Sequence, residues 1–456
     1  MILSRRSFIV SGAALAVAPH RLYAQDAPDG ATVLTARAVA AQLMEADRPA
    51  TKLESLSGQW PPPVLRARQG EEMKLRFVNE LDRPIALHWY GIRGPSDMMS
   101  ISVVPGAENA FDCSFTPPDA GTYWLSPVAD VSRQREMGLY ALVVVEEKEL
   151  AQEFTDVPLV FDDWQLTDDG QIDATTFGNL EDAIAQGRLG NWFTVNGEYR
   201  PKTDIQAGLV RLRILNAANV RTMSILVKGA DPLIIAEDGQ PVQPRQLGSA
   251  GLVLAPGQRS DLLVEEGKES LTLAINLFED VIEAAYLDRK GAPAQTALPD
   301  NFTLPPNPIS AKLDMATART VPFLLEGGEK GGMTGAVYNG EKLDLRALLE
   351  KGMAWAINGT AGLAADPFET FAEGETVILA IDNRTKFDQP LHIHGHVWQL
   401  IEDLPWAFRD TIVIPAEKQA KLGFVADNPG KWGIQSTIAE RIDSGLMTSF
   451  EVTPSK

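Results

Sequence analysis

Short runs that alternate apolar with polar residues, or stay apolar over strand lengths, recur from one end of the chain to the other. MKLRFVN (73–79), LYALVVVE (139–146), VRLRIL (210–215), GLVLAP (251–256) and ETVILAI (375–381) are rich in Val, Ile and Leu, the residues that suit a pleated surface. Helical spacing is confined to Asn179–Gln186 and Leu343–Glu350, where two short helices are predicted. The 30 prolines and 37 glycines are many for a helical protein and ordinary for short strands joined by turns. The pattern predicts an all-β chain of sandwiches or barrels.

A length of 456 residues suggests three domains on a prior of about 150 residues each. EEKELAQEF breaks the strand pattern near Glu147, and the proline-rich LPDNFTLPPNP (298–308) cannot pair as a central strand, so it reads as a linker. The expected domains are 27–148, 149–305 and 306–456. WFTVNG (192–197) and WAINGT (355–360) echo one another, as duplicated domains would.

The first residues read as an address. Arg5 and Arg6, flanked by Ser4 and Phe8, precede an apolar run from Ile9 to Ala18, and Ala24 is a suitable cleavage residue. The run is shorter than the roughly 20 residues that span a bilayer. It fits a twin-arginine secretory signal over 1–24, which places the mature protein in the bacterial periplasm. No later segment reads as a membrane span. The net charge of −20 becomes more negative when Arg5, Arg6 and Arg21 leave, which disfavours nucleic acid and anionic lipid as partners.

Cys113 is the only cysteine, so no intramolecular disulfide exists. It alternates with Phe111 and Phe115 on one strand face, the setting of a buried, inert thiol. Met98 and Met99, if on a strand, point to opposite faces and read as packing. Four histidines remain beyond the signal: His88, His392, His394 and His396, three of them in PLHIHGH. A His-x-His on a strand puts two imidazoles on one face, a common way to present metal ligands and weak evidence on its own.

GTYW (121–124) followed by QREMGLYALVVVE, PLHIHGHVWQLI followed by FRDTIVIP, and the C-terminal DNPGKWGIQSTIAERIDSGLMTSFEV stand in order along the chain. With LHWYG (87–91), LRILNAANVR and LAPGQRSDLLV they resemble the multicopper oxidases over nearly the whole mature chain. The resemblance implies three cupredoxin-like Greek-key β-sandwich domains. In that family the first and third share a trinuclear copper cluster, and the third carries a blue copper.

The resemblance also implies which positions would hold metal. The motif His-Trp-His-Gly reads His88-Trp89-Tyr90-Gly91, and Tyr-His-Ser-His reads Leu125-Ser126-Pro127-Val128. The motif His-Pro-x-His-x-His-Gly reads Gln389-Pro390-Leu391-His392-Ile393-His394-Gly395. The His-Cys-His motif reads Gln435-Ser436-Thr437, and its later His and Met are Arg441 and Leu446. A blue copper needs a thiolate and two imidazoles. Ser436 does not ionise at neutral pH, Gln389 is a weak donor, and Arg441 is a permanent cation. Of the family's six binuclear ligands only His394 is left.

His88 and His392 match the histidines of the remaining, mononuclear copper, with His394 expected nearby. Two readings stay open for these three: a residual non-blue copper site, or hydrogen-bonded interior polar groups. His396 is expected to be structural. No cofactor is expected beyond that one possible copper ion. The functional expectation is a non-catalytic periplasmic scaffold that binds an envelope protein. A copper-free cell-division protein within the family, which stabilises the septal machinery, offers an analogy. The alternative is a copper-binding protein or oxidoreductase working through His88 and His392.

Overall fold

The computed structural model describes residues 30–455, apart from 151, 266–269, 278–279, 292–297, 299–300, 310–311 and 403–406. The expected signal over 1–24 and part of the proline-rich stretch lie outside the described residues. The chain is all-β, as its pattern predicts, and forms three sandwiches.

In the first, Val64–Arg68, Ala141–Glu146, Gly121–Pro127, Ile85–Tyr90 and Ser100–Val103 lie side by side in that order. They face a sheet of Thr51–Ser55, Thr32–Ala41, Met73–Asn79 and Gly106–Phe115. The second sandwich is built from strands between Thr155–Trp164 and Val281–Lys290, the third from strands between Arg319–Gly327 and Met447–Thr453. Each sandwich repeats one device, a parallel strand pair in each of its two sheets among otherwise antiparallel neighbours. In the first these are Thr32–Ala41 with Met73–Asn79, and Val64–Arg68 with Ala141–Glu146. The second and third repeat the pairing. This is cupredoxin topology three times over.

A buried asparagine marks the same corner in each unit. Asn79, Asn216 and Asn383 each end a strand, or lie at its end, and each donates through Nδ2 to carbonyls four or five residues on and on a neighbouring segment. Each Oδ1 accepts from the backbone N–H two residues later. The WFTVNG and WAINGT echo has the same basis. Asn196 and Asn358 both adopt positive φ, accept from the N–H of Val160 and Leu324, and donate to Pro158 and Pro322.

Both expected helices form, with one shift. Leu180–Ile184 is capped by Asn179, and Leu345–Glu350 by Asp344, whose Oδ1 accepts from Ala347 N–H at 2.8 Å. The second starts later than its spacing predicts because Leu343 and Asp344 pair with Ala336 and Gly335 in a hairpin. Met98 and Met99 end the short helix Ser96–Met99, not a strand, and Met99 is fully buried. Cys113 is buried on the strand Gly106–Phe115.

The first and third sandwiches share one apolar cluster, with Leu87, Trp89 and Val143 continuous with Leu379, Leu391 and Ile434. The first and second share another, with Leu43, Tyr140 and Val144 against Val160, Trp164 and Leu215, and add buried ions to it. Arg211 and Arg213 of VRLRIL are buried, and Asp261 accepts from Arg211 Nε at 2.9 Å, Arg213 Nη1 at 3.2 Å and Thr122 Oγ1 at 2.6 Å. Among the described residues, no helix is long and apolar enough to cross a membrane.

Candidate metal centre

The site lies where the first and third sandwiches meet. His88 sits on Ile85–Tyr90, which pairs with Gly121–Pro127 so that His88 opposes Ser126 and Tyr90 opposes Trp124. His392 sits on Gln389–Ile393, where it opposes Gln435 while Leu391 opposes Ser436. Strand register therefore sets the four motifs side by side.

His88, His392 and His394 come together as expected. One nitrogen of each lies within 4.8 Å of the others, and all three residues are buried. The His394 ring stacks on His88 at 3.6 Å between centroids, and the His392 ring lies 5.2 Å from His394. His88 Nδ1 is 2.8 Å from the Met99 carbonyl, which only accepts, so Nδ1 carries the proton. His392 Nδ1 donates to Asp410 Oδ1 at 3.0 Å. Both rings therefore turn a bare Nε2 lone pair toward the interior, the tautomer a metal requires. The Nε2 atoms of all three have no hydrogen-bond partner.

Electrostatics keep these rings neutral. Burial, reinforced by His392, pushes His88 down to about 3. Burial also lowers His392, although the Asp410 hydrogen bond pulls the other way, and it lowers His394 well below the ordinary range. Asp410 is buried too, but Arg259 and His392 outweigh that and hold its carboxyl well below the usual value. His88 and His392 offer neutral imidazoles with free lone pairs, the donor type of a single Cu(II) or Zn(II) ion, with His394 beside them as a third imidazole. His88 and His394 are nearly parallel, with 16° between planes, so one ring must rotate for both to bind one ion.

The other copper positions of the family are filled differently. Tyr90 stacks against His392 at 4.6 Å and Trp124 at 4.9 Å, and its hydroxyl accepts from Gln435 Nε2 at 2.7 Å. Burial pushes the Tyr90 phenol up to about 12, so it is no anionic ligand at neutral pH. Arg135, from the helix Val131–Glu136, enters beside these residues. It donates to the Thr437 carbonyl at 2.8 Å and Ser126 Oγ at 3.3 Å, with its guanidinium over the Trp124 ring. At the blue-copper position Arg441 donates to Gln389 Oε1 at 2.8 Å and lies between Trp355 and Phe387. Ser436 Oγ is engaged by the Ile438 N–H. These donor sets do not fit a blue copper or a binuclear pair: each offers a cation where the metal would stand.

His396 is separate from the trio. Its Nδ1 donates to the His394 carbonyl, and its ring lies among Phe424, Trp432 and Phe450. Arg135 and Asp410 escaped sequence reasoning, although both lie in quoted blocks, QREMG and FRDTIVIP. Their spacing carries no signal of burial. A charged residue inside a block that otherwise reads as a buried strand or turn was the available cue.

Three cupredoxin units with a histidine cluster between the first and third define the class: this is the architecture of a multicopper oxidase. Residues 38–150 and 341–456 each match the multicopper oxidase family, to which the chain belongs. The multicopper oxidase MmcO of Mycobacterium tuberculosis is 27% identical over 94% of this chain and 92% of its own length. The cell division protein FtsP of Xenorhabdus nematophila is 21% identical over 88% of this chain and 85% of its own. Among solved structures, a multi-copper oxidase from Pseudomonas thermotolerans superposes with a TM-score of 0.77 at 28% identity, covering 92% of this chain and 98% of that one.

Proposed function

We propose that this is an exported multicopper-oxidase-like protein without oxidase chemistry, acting as a periplasmic scaffold that binds another envelope protein. One observation carries the reading. The positions that hold copper in the family are tied up in hydrogen bonds instead: Tyr90 to Gln435 across the boundary between the first and third domains, Arg441 to Gln389 within the third, and Thr437 through its carbonyl to Arg135 of the first. A buried cation repels a metal ion, and without a blue copper there is no entry port for electrons. The likeness to cell division proteins FtsP supports a role in division or envelope maintenance, by analogy. Paired arginines before a short apolar run support export.

The test is purified protein supplied with copper and assayed on phenols, diamines and reduced metal ions, with in-cell crosslinking to capture the partner. Copper-dependent turnover lost in His392→Ala would overturn the scaffold reading. A reproducible envelope protein crosslinked to the wild type, with no turnover, is the expected result.

The three bare Nε2 atoms favour a second reading, in which His88, His392 and His394 hold one copper or zinc ion. Such an ion would supply Lewis acidity or one-electron chemistry. The chain's part is to fix ring tautomers through Met99 and Asp410 and to keep the imidazoles unprotonated and dry.

A further inference from the structure

The interface between the first and third sandwiches has two halves of opposite polarity, with the Tyr90 ring as the wall. On one side are the imidazole lone pairs of His88, His392 and His394. On the other lies Arg135, 1% exposed, without a carboxylate partner among the described residues. Its Nη1 and Nε are bound to a backbone carbonyl and a serine hydroxyl, the Tyr90 hydroxyl lies beside it, all neutral, and Nη2 is left without a well-formed bond. Two more buried polar groups beside it are also unpartnered, Trp124 Nε1 and Thr437 Oγ1. They share one wall: a Cβ on Gly257 would lie 3.1 Å from the Cζ2 atom of Trp124 and 3.4 Å from Thr437 Cγ2. That Trp124 edge is the one next to Nε1.

Unpartnered N–H and O–H groups beside a buried guanidinium make an array of donors with a net positive charge. Native interiors do not leave such groups unsatisfied, and a lone buried cation calls for a counter-charge. The nearest acids do not supply one. Glu440 is pushed up to about 8 by burial, Asp162 is raised by burial and hydrogen-bonded by Tyr140, and the Asp443 oxygens cap Val131 and Ser132. The array offers one cation in a fully buried setting, which suits a compact, singly charged ligand.

We propose that Arg135, Trp124 and Thr437 bind a small monovalent inorganic anion of halide size. The site rests on donors, not lone pairs, so it is independent of metal at the histidines and of the scaffold reading. Its occupant ties the first sandwich, through Arg135 and Trp124, to the third, through Thr437.

The experiment is crystallisation of the mature protein in bromide with anomalous diffraction, alongside thermal melts in sodium chloride and sodium gluconate at equal ionic strength. An anomalous peak within hydrogen-bond reach of Arg135 Nη2 is expected, with a melting temperature about 2 °C or more higher in chloride. Arg135→Met should lose both effects. Thr437→Val removes a single donor and keeps the charge, and should weaken the chloride response even if Arg135→Met fails to fold. Water alone in the pocket, or bromide only at surface sites, would overturn the proposal whatever the melts show. So would a bromide peak that persists in a folded Arg135→Met protein.

Discussion

Asp410→Asn removes one negative charge from the centre of the molecule and leaves its shape unchanged. Asp410 is fully buried and receives Arg259 Nη1 at 3.0 Å, His392 Nδ1 at 3.0 Å and Thr411 Oγ1 at 2.7 Å. Arg259 belongs to the second sandwich and His392 to the third, so the carboxylate joins two domains. An asparagine has one accepting oxygen and one donating nitrogen: with its oxygen at the Oδ1 place it keeps His392 and Arg259 Nη1 but turns its N–H₂ onto Arg259 Nη2, and with its oxygen at the Oδ2 place it keeps Nη2 alone. Breaking a buried, hydrogen-bonded charge pair costs about 3–5 kcal/mol. For a domain of this size that lowers the melting temperature by on the order of 10 °C. In the second arrangement the amide N–H₂ faces His392 Nδ1, and the ring proton moves to Nε2.

Calorimetry on wild type, Asp410→Asn, Arg259→Met and the Asp410→Asn/Arg259→Met double variant isolates the pairing. The double variant should cost clearly less than the two singles added together, because the Asp410–Arg259 pair is lost only once; Asp238, 3.4 Å from Arg259, loses its cation in the Arg259→Met single and the double alike. The carboxyl is depressed below its ordinary 3.8, so its stabilisation is full above that value and is lost as pH falls through and below it. A cost under about 1 kcal/mol for Asp410→Asn, or additive single and double variants, would refute the coupling.

Other expectations can be checked directly. Tyr90→Phe leaves the buried Gln435 amide without its acceptor and should cost about 1–3 kcal/mol in denaturant melts. Burial pushes the Cys113 thiol up to about 12, so a thiol reagent should leave native protein unmodified and label it only after unfolding. His88, lowered to about 3, and His396, lowered by burial to about 4, should show neutral imidazole resonances in NMR down to pH 5. Both are bases with depressed values, so their stabilisation is full above the unfolded 6.5 and lost as pH falls from there; a midpoint near 6.5 for either ring would refute their burial.

Much of the architecture could be read from strand-length runs such as ETVILAI, whose apolar positions form the core of a central strand. The block order around GTYW and PLHIHGH pointed to a shared interface, and His88, His392 and His394 do meet there. What stayed hidden was tertiary. Arg211 and Arg213 look like the solvent face of an alternating strand, yet Asp261 and Glu147 arrive from elsewhere in the chain to neutralise them. Arg135 drew no reading, because nothing local says that a helix forms at Val131–Glu136 and packs into the gap beside Ser126 and Thr437. Asn79, Asn216 and Asn383 form a three-fold repeat of a single residue and its bonds, too sparse to notice without the coordinates.

The most direct test is copper content after dialysis of the folded protein against copper, with absorption and electron paramagnetic resonance on the same sample. The account predicts no thiolate-to-copper colour and between none and about one Cu(II) per chain, with an ordinary signal that disappears in His88→Ala. A blue protein, or about three or more coppers per chain, would contradict it, because Ser436, Arg441 and Arg135 leave no place for them.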